Sequence, residues 1–140
     1  MSLCNKVLSV KNFNEDDSII DAVCNYLKMD RPAFYGETLA DNIREICVYR
    51  LCKSIGIRRD CNFRSDFLYF FSSFVGEAVV QNLNIKMHIA NDVTRLFRHD
   101  GVNLVEGAKF CLKNTDIDEA FIDAFNFADK YRYLIPRLKD

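Results

Sequence analysis

Val93-Thr94-Arg95-Leu96-Phe97-Arg98-His99-Asp100-Gly101-Val102-Asn103 is the stretch whose reading decides the fold. Val93, Leu96 and Phe97 continue a three-and-four apolar spacing that begins at Ile85 and Ile89, the pattern of a helix with one buried face, and it stops at Asp100-Gly101. Gly101 can adopt the left-handed conformation that ends a helix. Asn103, two residues on, can accept hydrogen bonds from the free amides that open the next one. Residues 100–103 therefore read as a tight helix-to-helix corner.

The same periodicity recurs on both sides of that corner. Upstream, the acidic stretch Glu15-Asp16-Asp17-Ser18 precedes Ile19, Ile20, Val23, Cys24 and Leu27, which predicts a first helix at about 16 to 28 that breaks at Asp30-Arg31-Pro32. Leu39, Ile43, Ile46, Cys47, Arg50 and Leu51 form an apolar stripe with one basic edge, a second helix at roughly 37 to 55. Ser65 can cap a third, about 65 to 82, rich in Phe67, Leu68, Phe71, Phe74, Val75, Ala78 and Val79, and polar residues around Asn82 to Asn84 separate it from the fourth. Downstream, a short fifth helix is expected at about 104 to 113. Asn114 or Thr115 caps a sixth that reaches about Lys130, with Ile117, Ala120, Phe121, Ala124, Phe125 and Ala128 on one face. Tyr131 to Pro136 completes the pattern with a last short turn. No internal repeat or linker interrupts it, so 1–140 reads as one all-α domain of about seven helices.

Composition bounds what such a domain does. With 49% hydrophobic residues, two prolines and five glycines in 140 residues, the chain can build a real core from long elements. Its 19 basic and 20 acidic residues are interspersed, so no strong field exists to hold a nucleic acid or an anionic bilayer. No run approaches the ~20 apolar residues of a membrane span, and the N-terminus lacks the apolar core of a secretory signal. The expectation is a cytosolic protein with no transmembrane anchor. Six cysteines, none spaced as C-x-x-C, read as free and mostly buried thiols.

The segment from Val93 to Asn103 resembles the first homology motif (BH1) of the Bcl-2 family, in which a helix ending in Leu-Phe and a basic residue meets Asp-Gly-Val-Asn and a second helix. Leu104-Val105-Glu106 stand where the family most often has Trp-Gly-Arg, and His99 is an extra residue ahead of Asp-Gly. Elsewhere the likeness lies in helix order. Ser18 to Leu27 is similar to the family's amphipathic N-terminal motif, and Leu39 to Leu51 falls where the groove-lining second helix lies. Short, anchorless, divergent members are typical of large DNA viruses, and the chain resembles those viral homologues.

The resemblance implies a bundle wrapped around a central hydrophobic helix, with a surface groove that takes the BH3 helix of a pro-apoptotic partner such as Bim. Candidate groove residues are Ile46, Tyr49, Arg50, Phe71, Phe74, Leu96, Arg98, Asn103, Val105, Glu106, Ala108 and Lys109. The apolar ones match the chemistry of an amphipathic ligand, whose side chains are each worth roughly 1.5 to 3 kcal/mol when buried. Glu106 takes the place of the arginine that pairs with the ligand's aspartate, and its carboxylate would repel that group. Lys109, Arg98 and Arg50 are the cations available as substitutes. Implied also are an anti-apoptotic role in the host cytoplasm, recruitment to the mitochondrial surface through partners, and narrow ligand selectivity.

No phosphate-cradling loop, H-E-x-x-H or G-x-S-x-G supports an enzyme, and the residues call for no cofactor or metal. The helix dipole accounts for the acidic clusters at predicted helix starts. Two other readings stand beside BH3 sequestration. One is a protein of the same fold that modulates host signalling through other faces; the other is an oligomeric structural or interaction protein. In the second, Phe67 to Phe74 has aromatics on more than one helical face and could pair with a copy of itself. A homodimer is compatible with each.

Overall fold

The computed structural model describes residues 10–32, 38–58, 65–85, 104–113 and 116–130. They form five helices and no strand among the described residues: α1 (Val10–Tyr26), α2 (Leu39–Ile55), α3 (Ser65–Asn82), α4 (Leu104–Cys111) and α5 (Ile117–Asp129). The expected fourth helix, the corner at 100–103 and the last turn at 131–136 lie outside them.

Local chemistry explains most boundaries. Thr38 caps α2, its Oγ1 accepting from Asp41 N at 3.0 Å, and Gly56 closes the helix at φ 78° while Ile57 N donates to Cys52 O at 3.0 Å. This is the left-handed stop that glycine makes without strain. Asn84 does the same for α3 at φ 57°, with Ile85 N donating to Val80 O at 2.9 Å. Lys28 ends α1 at φ 53°, a conformation that costs a side-chain-bearing residue roughly 1 kcal/mol.

Two boundaries correct the sequence reading. α1 starts at Val10 rather than about 16, because Val10 to Asn14 contain neither glycine nor proline and the helix runs on through the acidic stretch. The cap of α5 is Asp116, not Asn114 or Thr115: its Oδ1 accepts from Asp118 N at 2.9 Å and Glu119 N at 3.1 Å. An aspartate there satisfies two free amides and sets a negative charge at the positive end of the helix.

α3 is the hub. Phe67, Leu68, Phe70, Phe71, Ser72, Phe74, Val75, Ala78, Val79 and Val80 are all buried, so the helix is enclosed on more than one side, as an apolar surface of that width requires. It packs on α2, α4 and α5; α5 in turn packs on α2 and α4, closing a ring of four, and α1 lies against α2. Phe67 and Phe71 of α3 meet Phe125 of α5 at 5.1 and 5.8 Å between ring centres, and Phe71 meets Phe121 at 6.1 Å. These are edge-on or tilted contacts that add to plain burial. Phe67, Phe70, Phe71 and Phe74 are at most 4% accessible because the bundle covers several faces of α3 at once, so these four rings belong to the core and are not available to pair with a second copy.

Candidate functional site

Ile46 on α2, Phe71 and Phe74 on α3, and Val105 and Ala108 on α4 belong to one buried apolar cluster. These five candidate groove residues thus belong to the core that the helices share, on α3 and on two of the helices that pack against it. None exceeds 1% exposure, so a ligand helix reaches them only after whatever covers them moves. Tyr49 is half-buried on α2. Leu96, Arg98 and Asn103 lie outside the described residues.

The charged candidates fall in two places. Glu106 and Lys109 sit on the outer side of α4, where Nζ meets Oε2 at 3.2 Å and the glutamate side chain is 59% exposed. Lys109 is thus paired on its own helix. Phe110, on the same exposed side, is 77% accessible. Arg50 is elsewhere altogether. In the sequence it forms the basic edge of α2, yet it is 3% exposed. Its Nε donates to Leu27 O at 2.6 Å, and its Nη1 donates to Ser54 Oγ at 3.0 Å and Asp118 Oδ1 at 2.7 Å. Ser54 Oγ also donates to Asp118 Oδ1 at 2.9 Å. The guanidinium therefore ties α2 to the end of α1 and the start of α5, which is what a planar fork of donors does well.

Asp118 is more than the dipole-favoured carboxylate that the sequence suggests. The hydrogen bond from Arg50, then that from Ser54, holds its carboxyl below the usual carboxylate range. Around this node Lys28, Arg50, Lys53, Asp116, Ile117 and Asp118 line a shallow polar depression. Its lining mixes three cations with two carboxylates, and Asp116 already accepts from two amides of α5.

A second polar junction was invisible in the sequence. The Tyr26 hydroxyl at the end of α1 donates to Leu112 O at 2.9 Å, while Asn82 Nδ2 at the end of α3 donates to the Tyr26 oxygen at 3.0 Å and, more weakly, to Lys109 O at 3.4 Å. Carbonyls at the end of α4, which have no partner within the helix, are thereby satisfied from two other elements. Asn82 Oδ1 is buried with no hydrogen-bond partner among the described residues, a state that costs about 1 to 3 kcal/mol. No local signal marks Tyr26 or Asn82, since the partners are 56 and 86 residues apart.

Among the described residues no group of His, Cys, Asp or Glu is arranged to hold a metal ion, and no helix is long and apolar enough to cross a membrane. The chain matches no protein-family model, no curated protein and no solved structure.

Proposed function

We propose that this chain is a viral Bcl-2-like protein that sequesters the BH3 helix of a pro-apoptotic partner, Bim-like in character, in an apolar seam along α3. The observation that carries the reading is the convergence of Ile46, Phe71, Phe74, Val105 and Ala108 on a central apolar helix flanked by α2 and α4. Apolar ligand side chains spaced at three and four match such a seam, each worth roughly 1.5 to 3 kcal/mol if fully buried. Arg50 is held by Leu27, Ser54 and Asp118, and Lys109 is paired with Glu106. Neither presents an uncommitted cation to a ligand aspartate, so affinity rests on apolar fit and the set of ligands is narrow. The protein acts from the host cytoplasm and reaches mitochondria through its partners.

Titration calorimetry of the full chain against a panel of BH3 peptides, with ligand-aspartate variants as controls, tests this. Submicromolar binding of at least one peptide is expected, with little loss when the ligand's aspartate is replaced. Glu106→Arg should widen the set of peptides bound. An unchanged profile would mean that Glu106 does not face the ligand.

The near-complete burial of those five residues favours a second reading. In it the seam stays closed, and the same fold modulates host signalling through its outer faces. Absence of binding across the whole panel would select it.

A further inference from the structure

The polar depression beside the Arg50 node is lined from three elements: Lys28 at the end of α1, Arg50 and Lys53 on α2, and Asp116, Ile117 and Asp118 at the start of α5. Its charges are committed unequally. Asp118 Oδ1 accepts from Arg50 Nη1 at 2.7 Å and from Ser54 Oγ at 2.9 Å, and Asp116 Oδ1 accepts from two amides of α5. Asp116 also faces the positive end of that helix, which offsets part of its charge. The fork of Arg50 is spent on Leu27 O, Ser54 and Asp118. Lys28 and Lys53 are both exposed, and among the described residues neither ammonium has a hydrogen bond or an ion pair. Lys53 lies near enough to Asp118 for its charge to help lower that carboxyl, after the bonds from Arg50 and Ser54. Three cations thus meet two carboxylates, and the two cations left over are both lysines. Like charges set around one concave surface repel each other and focus a positive potential there, which an anion relieves.

The kind of cation selects the ligand. A planar carboxylate is recognised best by the paired donors of an arginine, and here that fork is occupied. Lysine ammoniums are compact point charges with rotatable donors, which suit the several equivalent oxygens of a phosphate, and its nearly two negative charges match two uncommitted lysines. At about 530 Å³ the depression is of small-molecule size. We propose that it is a phosphate site, for the free ion or a small phosphomonoester, held by Lys28 and Lys53 beside the fixed Arg50–Asp118 pair. The site uses none of the five seam residues, and it stands or falls apart from the function proposed above.

NMR titration of the isotope-labelled full chain with sodium phosphate, at an ionic strength held constant with potassium chloride, tests the site. Amide shifts around Lys28, Lys53 and Asp116 to Asp118 should move together and saturate in the millimolar range, as suits a few exposed charged contacts. Lys28 stands at φ 53°, a conformation that glycine adopts without strain. Lys28→Gly therefore removes one ammonium while keeping the fold, and should weaken phosphate binding about tenfold, the loss of one hydrogen bond between charged groups. Lys53→Ala, at an exposed position of α2, should weaken it to a similar degree. Urea unfolding of both variants checks that each is as folded as the native chain. Glycerol 3-phosphate distinguishes the sources of the ligand: tighter binding than free phosphate assigns the depression to an organic phosphate, and equal or weaker binding assigns it to the ion. Shifts that do not saturate or that follow potassium chloride alone would overturn the site, as would native affinity in either lysine variant. Acetate bound as tightly as phosphate would overturn the assignment to phosphate.

Discussion

The guanidinium of Arg50 connects three elements from a position where solvent scarcely reaches it. Arg50→Ala leaves Leu27 O without its donor and Asp118 without its cation, and should cost about 2 to 4 kcal/mol in urea unfolding. Arg50→Lys should recover only part of this, because one ammonium cannot reproduce the directions of Nε and Nη1. The node also fixes a pH dependence. The folded pKa of Asp118 lies below its ordinary 3.8, so its contribution is complete above that value and is lost as pH falls through the lowered one. The stability gap between the native chain and Asp118→Asn should therefore shrink on acidification below 3.8; an equal gap at pH 7 and in strong acid would refute the pairing. Because the Asp118 side chain is 57% exposed, salt should narrow the gap as well. Neither partner was legible as one of a pair. Arg50 lies within an apolar stripe and Asp118 within an acidic helix start, 68 residues apart, and local pattern says nothing about which distant side chains meet.

α3 was legible as an element, since it spans Ser65–Asn82 as the apolar spacing predicts and the polar stop around Asn82 to Asn84 is a local signal that the structure uses at Asn84. The start of α1 was not, because an acidic stretch suits the first turn of a helix or the second, and only the absence of a breaker before it decides. The contact between α4 and α5 carries a sharper test. A Cβ added at Gly107 would lie 2.4 Å from Cε2 of Phe127, so the ring must swing aside. Glycine to alanine inside a helix is otherwise worth about 1 kcal/mol in favour of alanine. Gly107→Ala should thus destabilise the native chain by about 1 kcal/mol, yet stabilise a Phe127→Ala background by a similar amount. Urea denaturation of the four proteins checks the sign change. If alanine stabilises both backgrounds, the ring moves freely and Gly107 is not there for close approach.

Across the whole molecule, burial decides how the thiols behave. Cys24 and Cys47 are free and buried on α1 and α2, and Cys52 is free and buried further along α2. Burial, then the charge of Asp21, pushes the Cys24 thiol up to about 11, and burial with the neighbouring Cys24 pushes Cys47 higher still. Cys111, on α4, is raised by burial and by Asp123 but remains partly accessible. Alkylation at mildly alkaline pH, mapped by mass spectrometry, should modify Cys111 well before Cys24, Cys47 and Cys52, which should react only on unfolding. Equal rates at all four would mean that α1 does not shield α2.

Among the described residues, the approximate positions of α2 to α5, their apolar faces and the all-helical class followed from the sequence alone, because periodicity and breakers act within a few residues of one another. Ile20, Val23, Cys24 and Leu27 are buried on one face of α1 as their spacing demands, and Ala120, Phe121, Ala124 and Ala128 likewise on α5. Only the tertiary structure decided that Arg50 turns inward, that Phe67, Phe70, Phe71 and Phe74 supply the middle of the core, and that Tyr26 and Asn82 hold the end of α4. Each depends on which faces meet once the helices pack, and a buried polar group takes whatever partner that packing brings within hydrogen-bonding distance.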